Sequence, residues 1–499
     1  MKSLFAPLLG AALVCAAAAA DEHAAPGIPE PRLFTSTGQI EADGERIRYR
    51  VVAGETYLEN DEGEPTGSIF STAYIREGVS DPRTRPVAFI FNGGPGSASL
   101  WLHMGMFGPQ RVVLPSEPPG DDGAAPFDIR DNPETLLDAA DMVFIDPVGT
   151  GWSRALGDTD PEEEFWGVNE DARSIAQFIR RWLAENQRWN SPKYLIGESY
   201  GTTRIGALMN QLEGGWNDVS INGVVLISVV LDFRTDATDP GNETGYVGLF
   251  PGYAAAGWYH ERVDRSAWND DYDAFLRDAR DFATDELMPA LLRGHDNNAA
   301  RVANVVRRYS ELTGLSETYI ERSNLRVTLS RFRTELLRDQ GLSVGRFDAR
   351  FTGLEPDGVS DSPEGDPSGY GIDGAYTSAM LDHFTRTLGV DITDPYTTLG
   401  GVTDWNWDAG RGGGENDYVN VSPWLERAMR QNRDLRVLAM NGIYDLATPF
   451  FATEMTFNRP GYDPDRVTLT YYPAGHMMYL HQPSIEQSAA DVRAFIEGG

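Results

Sequence analysis

Cysteine is almost missing from this 499-residue sequence: Cys15 is the one example, and it falls within the first twenty residues. A disulfide framework is therefore excluded, and so is a thiolate metal centre. Lysine is nearly missing too, with only Lys2 and Lys193, so arginine carries the positive charge. Basic residues are outnumbered 42 to 75, for a formal net charge of −33. Nucleic acid and anionic membranes select basic patches, so both are excluded as partners, and a solvated acidic surface accounts for the charge. The seven histidines form no ligand-spaced cluster, and no motif asks for a cofactor: the expectation is no metal and no cofactor. With 41% hydrophobic residues, the chain suits one large core or two to three domains.

The only markedly apolar run at the start, Leu4 to Cys15, is too short to span a bilayer. Lys2 before it and Ala18-Ala19-Ala20 after it read as a secretory leader over residues 1–20, cut ahead of Asp21. Val14 fits poorly as the residue before a lipidated Cys15, which favours a soluble product with no membrane insertion. Export without disulfides points to a periplasmic or secreted protein of a bacterium rather than to a eukaryotic secretory route.

The stretch with most chemical content is Tyr194-Leu195-Ile196-Gly197-Glu198-Ser199-Tyr200-Gly201, followed by Thr202 to Leu208. An apolar strand breaking into G-x-S-x-G and then a helix is the pattern of a nucleophile elbow, with serine exposed at a sharp turn. Other strands end in similar loops. Pro86 to Phe91 is continuously apolar, as a strand buried on both faces must be, and empties into Asn92-Gly93-Gly94-Pro95-Gly96. Glycines there let backbone N–H groups approach an oxyanion closely. A phosphate loop is excluded because no Lys-Ser/Thr follows. Met142 to Ile145 leads into Asp146-Pro147-Val148-Gly149-Thr150-Gly151, Val168 to Trp189 has helical periodicity, and Val224 to Ile227 is a further strand. Alternating sequence from Glu45 to Ile75 reads as antiparallel hairpins.

From about Asp232 the strand pattern lapses. Helices are expected over Asp270 to Leu292 and Asn298 to Thr313, and a long loop over Gly353 to Gly374. Such a length is too great for a connection within a compact sheet. The expected class is α/β, with a mixed, mostly parallel sheet in two parts, 21–231 and 415–499, interrupted by a mainly helical cap, 232–414. In the second part, Leu435 to Met440 leads to Asp445, Arg466 to Tyr472 leads to Ala474-Gly475-His476, and Pro483 to Ile496 closes the chain as a helix. Serine, acid and histidine thus follow three strands in that order. A hydroxyl is a weak nucleophile without a base, so His476 is the candidate base for Ser199 and Asp445 the group that orients it, with His481 the competing histidine.

Asn92 to Gly96, Asp146 to Gly151, Gly197 to Gly201, and Ala474 to Met477 with Gln482-Pro483 together resemble the serine carboxypeptidase family. The resemblance implies an α/β-hydrolase fold and release of single residues from peptide C-termini. It implies that Gly94 and Tyr200 supply oxyanion N–H groups, that Asn92 and Glu198 bind the terminal carboxylate, and that Met477 lines the pocket for the leaving residue. Independently of it, a carboxyl beside a substrate carboxylate binds only if one is protonated, so Glu198 is expected to have a raised pKa. The chain departs from the family at Met106, where a second glutamate is usual, at Ile90 in place of tryptophan, and at Thr202 in place of glycine. An ester hydrolase or acyltransferase on the same scaffold is the alternative, and a binding protein without turnover a further one.

Overall fold

The computed structural model describes residues 27–42, 44–118, 123–215, 218–409 and 418–498. The expected leader and the expected end of the cap at Gly414 lie outside them. Nine strands build the central sheet: β1 Leu33–Ala42, β2 Glu45–Glu59, β3 Pro65–Arg76, β4 Val87–Phe91, β5 Asp141–Asp146, β6 Lys193–Glu198, β7 Gly223–Ile227, β8 Arg436–Gly442 and β9 Val467–Tyr472. Their order is β1-β2-β3-β5-β4-β6-β7-β8-β9, with a two-residue strand, Arg154–Ala155, alongside β3. The β1, β2 and β3 hairpins are antiparallel, and β3 meets β5 antiparallel; every pairing from β5 to β9 is parallel. The β1 strand has no counterpart in the sequence reading, which begins its hairpins at Glu45.

Residue types explain the layers. All five residues of β4 are buried, as befits a strand covered on both faces. Val87, Phe89 and Phe91 join one core, and Ala88 and Ile90 the other. The first core is closed by α1 Val168–Glu185 and α2 Tyr200–Leu212. On α1, Val168, Ala172, Ile175, Ile179 and Leu183 form the apolar stripe the sequence spacing predicts, and each large side chain so buried contributes about 2 kcal/mol.

Between β7 and β8 lie α3 Glu243–Tyr259, α4 Ala299–Thr313, α5 Asp373–Asp382 and α6 Ser422–Gln431; α7 Gln482–Glu497 ends the chain. Helix also runs from Tyr272 to Arg293, through a π-helical turn at Phe282–Leu287. The α3 and α4 helices and the Tyr272–Arg293 helix share a core with Tyr444, Leu446, Phe450 and Phe451, residues that follow β8, whereas α5 and α7 pack on one face of the sheet and α6 on the other. The α3 helix escapes the sequence reading because it is buried on nearly every side, leaving no polar stripe to mark a period. Among the described residues, no helix is long and apolar enough to cross a membrane.

Parallel strands put their C-terminal ends on one edge. Asn92, Asp146, Ser199, Asp445 and His476 all stand at or just beyond such ends, where open α/β sheets bind ligands.

Candidate active site

Ser199 joins β6 to α2 with φ 60° and ψ −127°, a backbone conformation that costs a non-glycine residue about 1–3 kcal/mol. Its neighbours make the turn possible. A Cβ on Gly197 would lie 2.5 Å from the Gly201 carbonyl oxygen, and one on Gly93 would lie 2.5 Å from the Tyr200 nitrogen. Only glycine allows the Asn92–Gly96 loop and the elbow to approach so closely.

Two backbone donors stand on either side of that approach. Gly94, at φ 101°, has an N–H with no acceptor among the described residues. Tyr200 stands first in α2, where the N–H has no intrahelical acceptor. Two further side chains hold the loop. Asp146 accepts the N–H and hydroxyl of Ser99, both at 2.8 Å, and the Tyr396 hydroxyl at 2.9 Å. Arg204, fully buried on α2, donates to the Asn92 carbonyl at 2.5 Å and to Asp171 at 2.6 Å. Thr202, where a glycine was expected from the resemblance, donates its hydroxyl to the Ser199 carbonyl at 2.8 Å and accepts the Val230 N–H at 2.9 Å. The hydroxyl ties the elbow to the loop beyond β7.

His476 and Asp445 meet across a gap of 31 residues, with Nδ1 2.8 Å from Oδ2. The carboxylate fixes the proton on Nδ1 and leaves the Nε2 lone pair as a base. Asp445 is held in turn by the N–H groups of Ala447 and Thr448, at 2.8 and 3.0 Å, and by the Thr448 hydroxyl at 2.6 Å. Burial opposes charging of His476, but the charge and hydrogen bond of Asp445, with a contribution from Glu198, outweigh it and raise its pKa above the ordinary imidazole value. His481 is elsewhere: its Nδ1 lies 2.7 Å from the Ser484 hydroxyl and its Nε2 2.8 Å from Glu117.

Ser199, His476, Asn92, Gly94, Glu198 and Met477 line a single cavity of about 580 Å³. Tyr200 does not line it; its ring packs edge-on against Trp405 and Trp407. Asn92 accepts the Leu102 N–H at 3.0 Å. Burial pushes the Glu198 carboxyl up to about 7, against hydrogen bonds from Tyr479, at 2.7 Å, and Asn92. Met106 is wholly buried in the core and is not among the cavity's residues.

Three contributors are absent from the sequence reading. Tyr479 and Thr448 carry no motif. The third is the turn from Arg346 to Ala349, of which Arg346, Phe347 and Asp348 line the cavity and which bonds to the loops carrying Asp445 and His476. The Phe347 carbonyl accepts the His476 N–H at 2.6 Å, the Arg346 carbonyl the Leu446 N–H at 3.0 Å, and Asp348 the Gly475 N–H at 3.1 Å.

A family model described as serine carboxypeptidase matches residues 64–311, a stretch that includes Ser199 but stops short of Asp445 and His476. Serine carboxypeptidase-like 45 of Arabidopsis thaliana is 28% identical over 170 residues, 33% of this chain and 34% of that protein. The aligned part is thus about a third of that relative's length. Serine carboxypeptidase-like 36 of the same plant is 22% identical over 433 residues, 85% of this chain and 74% of its own. Among solved structures, the Saccharomyces cerevisiae prohormone-processing carboxypeptidase Kex1Δp aligns over 90% of both chains, with 14% identity and a TM-score of 0.51, a likeness of fold.

These relatives correct the expectation of bacterial export. The sequence relatives named here are from a plant, and they point to a eukaryotic rather than a bacterial protein. Absence of cysteine reports how a fold is held together, here by buried apolar faces, and says nothing of the cell that makes it. Residues 64–311 thus resemble the serine carboxypeptidase family, and the chain has an α/β-hydrolase fold.

Proposed function

We propose that the protein is a serine carboxypeptidase that releases C-terminal residues from peptides through an acyl-enzyme on Ser199. The reading is carried by one observation: Ser199, His476, Asn92 and Glu198 line the same cavity, so a nucleophile and its base share space with a carboxyl half-protonated near pH 7. In this reading Ser199 Oγ attacks the last peptide carbonyl as its proton passes to His476 Nε2. The N–H groups of Gly94 and Tyr200 receive the oxyanion, one such donor being worth roughly 3–4 kcal/mol of barrier. His476 then protonates the departing amine as the C–N bond breaks, and water repeats the sequence on the ester. Protonated Glu198 and the Asn92 amide bind the substrate's terminal carboxylate, Met477 lines the space for the leaving side chain, and the inserted region 232–414 serves as a cap roofing it.

The buried Met106, in place of a second carboxyl, favours ester hydrolysis or acyl transfer as the second reading, because an acyl-enzyme formed from an ester needs no terminal carboxylate. One comparison separates the two. Purified enzyme is given an N-blocked peptide and the same peptide amidated at its C-terminus, with Ser199→Ala as the blank. Loss of one residue, preferring the free acid, supports the carboxypeptidase. Equal or no cleavage of the two, with ester hydrolysis still dependent on Ser199, supports the alternative.

A further inference from the structure

The cavity around Ser199 contains a cation that no carboxylate side chain pairs with directly among the described residues. Arg346 lines the wall with Asn92, Glu198, Phe347 and Met477. Its guanidinium makes no ion pair or side-chain hydrogen bond among the described residues; its contact is the face of Phe347, 5.3 Å from the ring centre. The side chain is exposed, so it waits in water rather than in the core.

The acids nearby are mostly engaged. Asp348 forks onto Arg350 at 2.7 Å, and Asp445 holds His476. Asp366 accepts the N–H groups of Arg346 and Ser368 and the Ser368 hydroxyl, with Arg333 3.7 Å away. Glu198 is held by Tyr479. Asp373 stands exposed at the start of α5, and Asp236 is close enough for Arg346 to lower its pKa against the rise that burial imposes. Neither pairs with Arg346. In a chain of net charge −33, an arginine left bare in a cleft is positioned to recognise an anion.

The root of this side chain is fixed relative to the chemistry. Arg346 donates its N–H to Asp366 at 3.0 Å and accepts from Leu446 at 3.0 Å, and the next carbonyl accepts from His476. The cavity extends from Ser199 past Asn92 and Glu198 to Trp101, Met477 and the cap, whereas Trp405 and Trp407, beside Tyr200, do not line it. Arg346 therefore shares one cavity with Asn92 and Glu198, the residues that hold the terminal carboxylate in the carboxypeptidase reading.

We propose that Arg346 selects peptides ending in glutamate or aspartate, pairing its guanidinium with the side-chain carboxylate while Asn92 and Glu198 hold the α-carboxylate. This rests on the carboxypeptidase reading above. A charge-assisted pair open to solvent gives a preference of up to about fivefold for Glu over its uncharged isostere Gln, screened as salt rises.

The test uses N-blocked peptides identical except for a terminal Glu, Gln, Lys or Leu. Wild type, Arg346→Gln and Arg346→Glu are compared by kcat/KM, each normalised by serine-reactive phosphonate labelling of Ser199, which counts folded, competent enzyme. The expected Glu/Gln ratio is about three to five in wild type, about one in Arg346→Gln and below one in Arg346→Glu, which should instead favour the Lys-ended peptide. A wild-type ratio of one, or a ratio that Arg346→Gln leaves unchanged, with the Leu-ended peptide still cleaved, overturns the role of Arg346 and leaves the carboxypeptidase standing. If no peptide loses its terminal residue while phosphonate still labels Ser199, the carboxypeptidase reading itself falls, and this inference with it.

Discussion

Replacing Glu198 by Gln separates substrate binding from chemistry in a single variant. Burial keeps the Glu198 carboxyl protonated up to about pH 7, whereas a peptide's α-carboxyl ionises at roughly 3.5. Between those values one partner is an acid and the other an anion, so they share a hydrogen bond. Above about 7 both are anions, and binding must first take up a proton. Each further pH unit then raises KM up to tenfold, or about 1.4 kcal/mol. Gln keeps the volume and can donate an N–H but cannot ionise, so its KM for the free acid should stay flat from about pH 6 to about pH 9. The same change reaches kcat by another route. Glu198 is among the groups that raise the His476 pKa, so the pH at which kcat is half-maximal should move down in the variant. An amidated peptide should show the kcat displacement without the KM effect. Stability offers an independent readout. The folded pKa lies above the ordinary 4.5, so this group's contribution is fully present below pH 4.5 and is lost as pH rises through about 7, a decline of about 3 kcal/mol that Glu198→Gln should lack. Urea unfolding across pH measures it. A wild-type KM for the free acid that is flat across this range, or one that rises in parallel in both proteins, would refute the reasoning.

Gly93→Ala places a Cβ 2.5 Å from the Tyr200 nitrogen and 2.7 Å from the Glu198 carbonyl; the displaced oxyanion donors should lower kcat about 100-fold, measured by turnover per phosphonate-labelled site. Asp445→Asn should lower kcat by about four orders of magnitude, the size seen when a triad acid elsewhere loses its charge and the histidine its tautomer, while KM changes little in steady-state kinetics. Arg204→Met leaves Asp171 charged, buried and unpaired, which should cost about 3–5 kcal/mol in urea unfolding; adding Asp171→Asn should restore most of it.

What the sequence made legible is what side-chain and backbone chemistry forces locally. Continuous apolar runs identify β4, β5 and β7, because such runs suit few other environments. Glycines flanking Ser199 are legible because any Cβ there collides with backbone. The α1 stripe is legible because one face remains wet. Where those conditions fail, the reading fails with them. The α3 helix has no wet face and carries Pro251 inside it, and β1 begins before the run of alternation that identifies the hairpins. Tyr479 reaches Glu198 from a chain position 281 residues away, a contact that only the folded topology creates.

The catalytic loops illustrate the limit most fully. Asp445 and His476 are named by strand ends and order, but what keeps them in register is a turn inserted between β7 and β8. Three of its bonds run backbone to backbone: His476 to Phe347, Leu446 to Arg346 and Ala349 to Tyr444. Every residue but proline can form these, so no residue type records them. The fourth, from Gly475 to Asp348, requires an acceptor at position 348 and a counter-charge for it in Arg350, yet Asp348 and Arg350 two residues apart in a polar stretch read as any solvated pair. An inserted segment joined to both loops in this way cannot move away as a rigid body without breaking hydrogen bonds to the loops of Asp445 and His476 together. The segment from Gly345 to Arg350 therefore holds the loops of Asp445 and His476 in register, while Leu399, Tyr370 and Asp373 stand exposed elsewhere along the cavity lining.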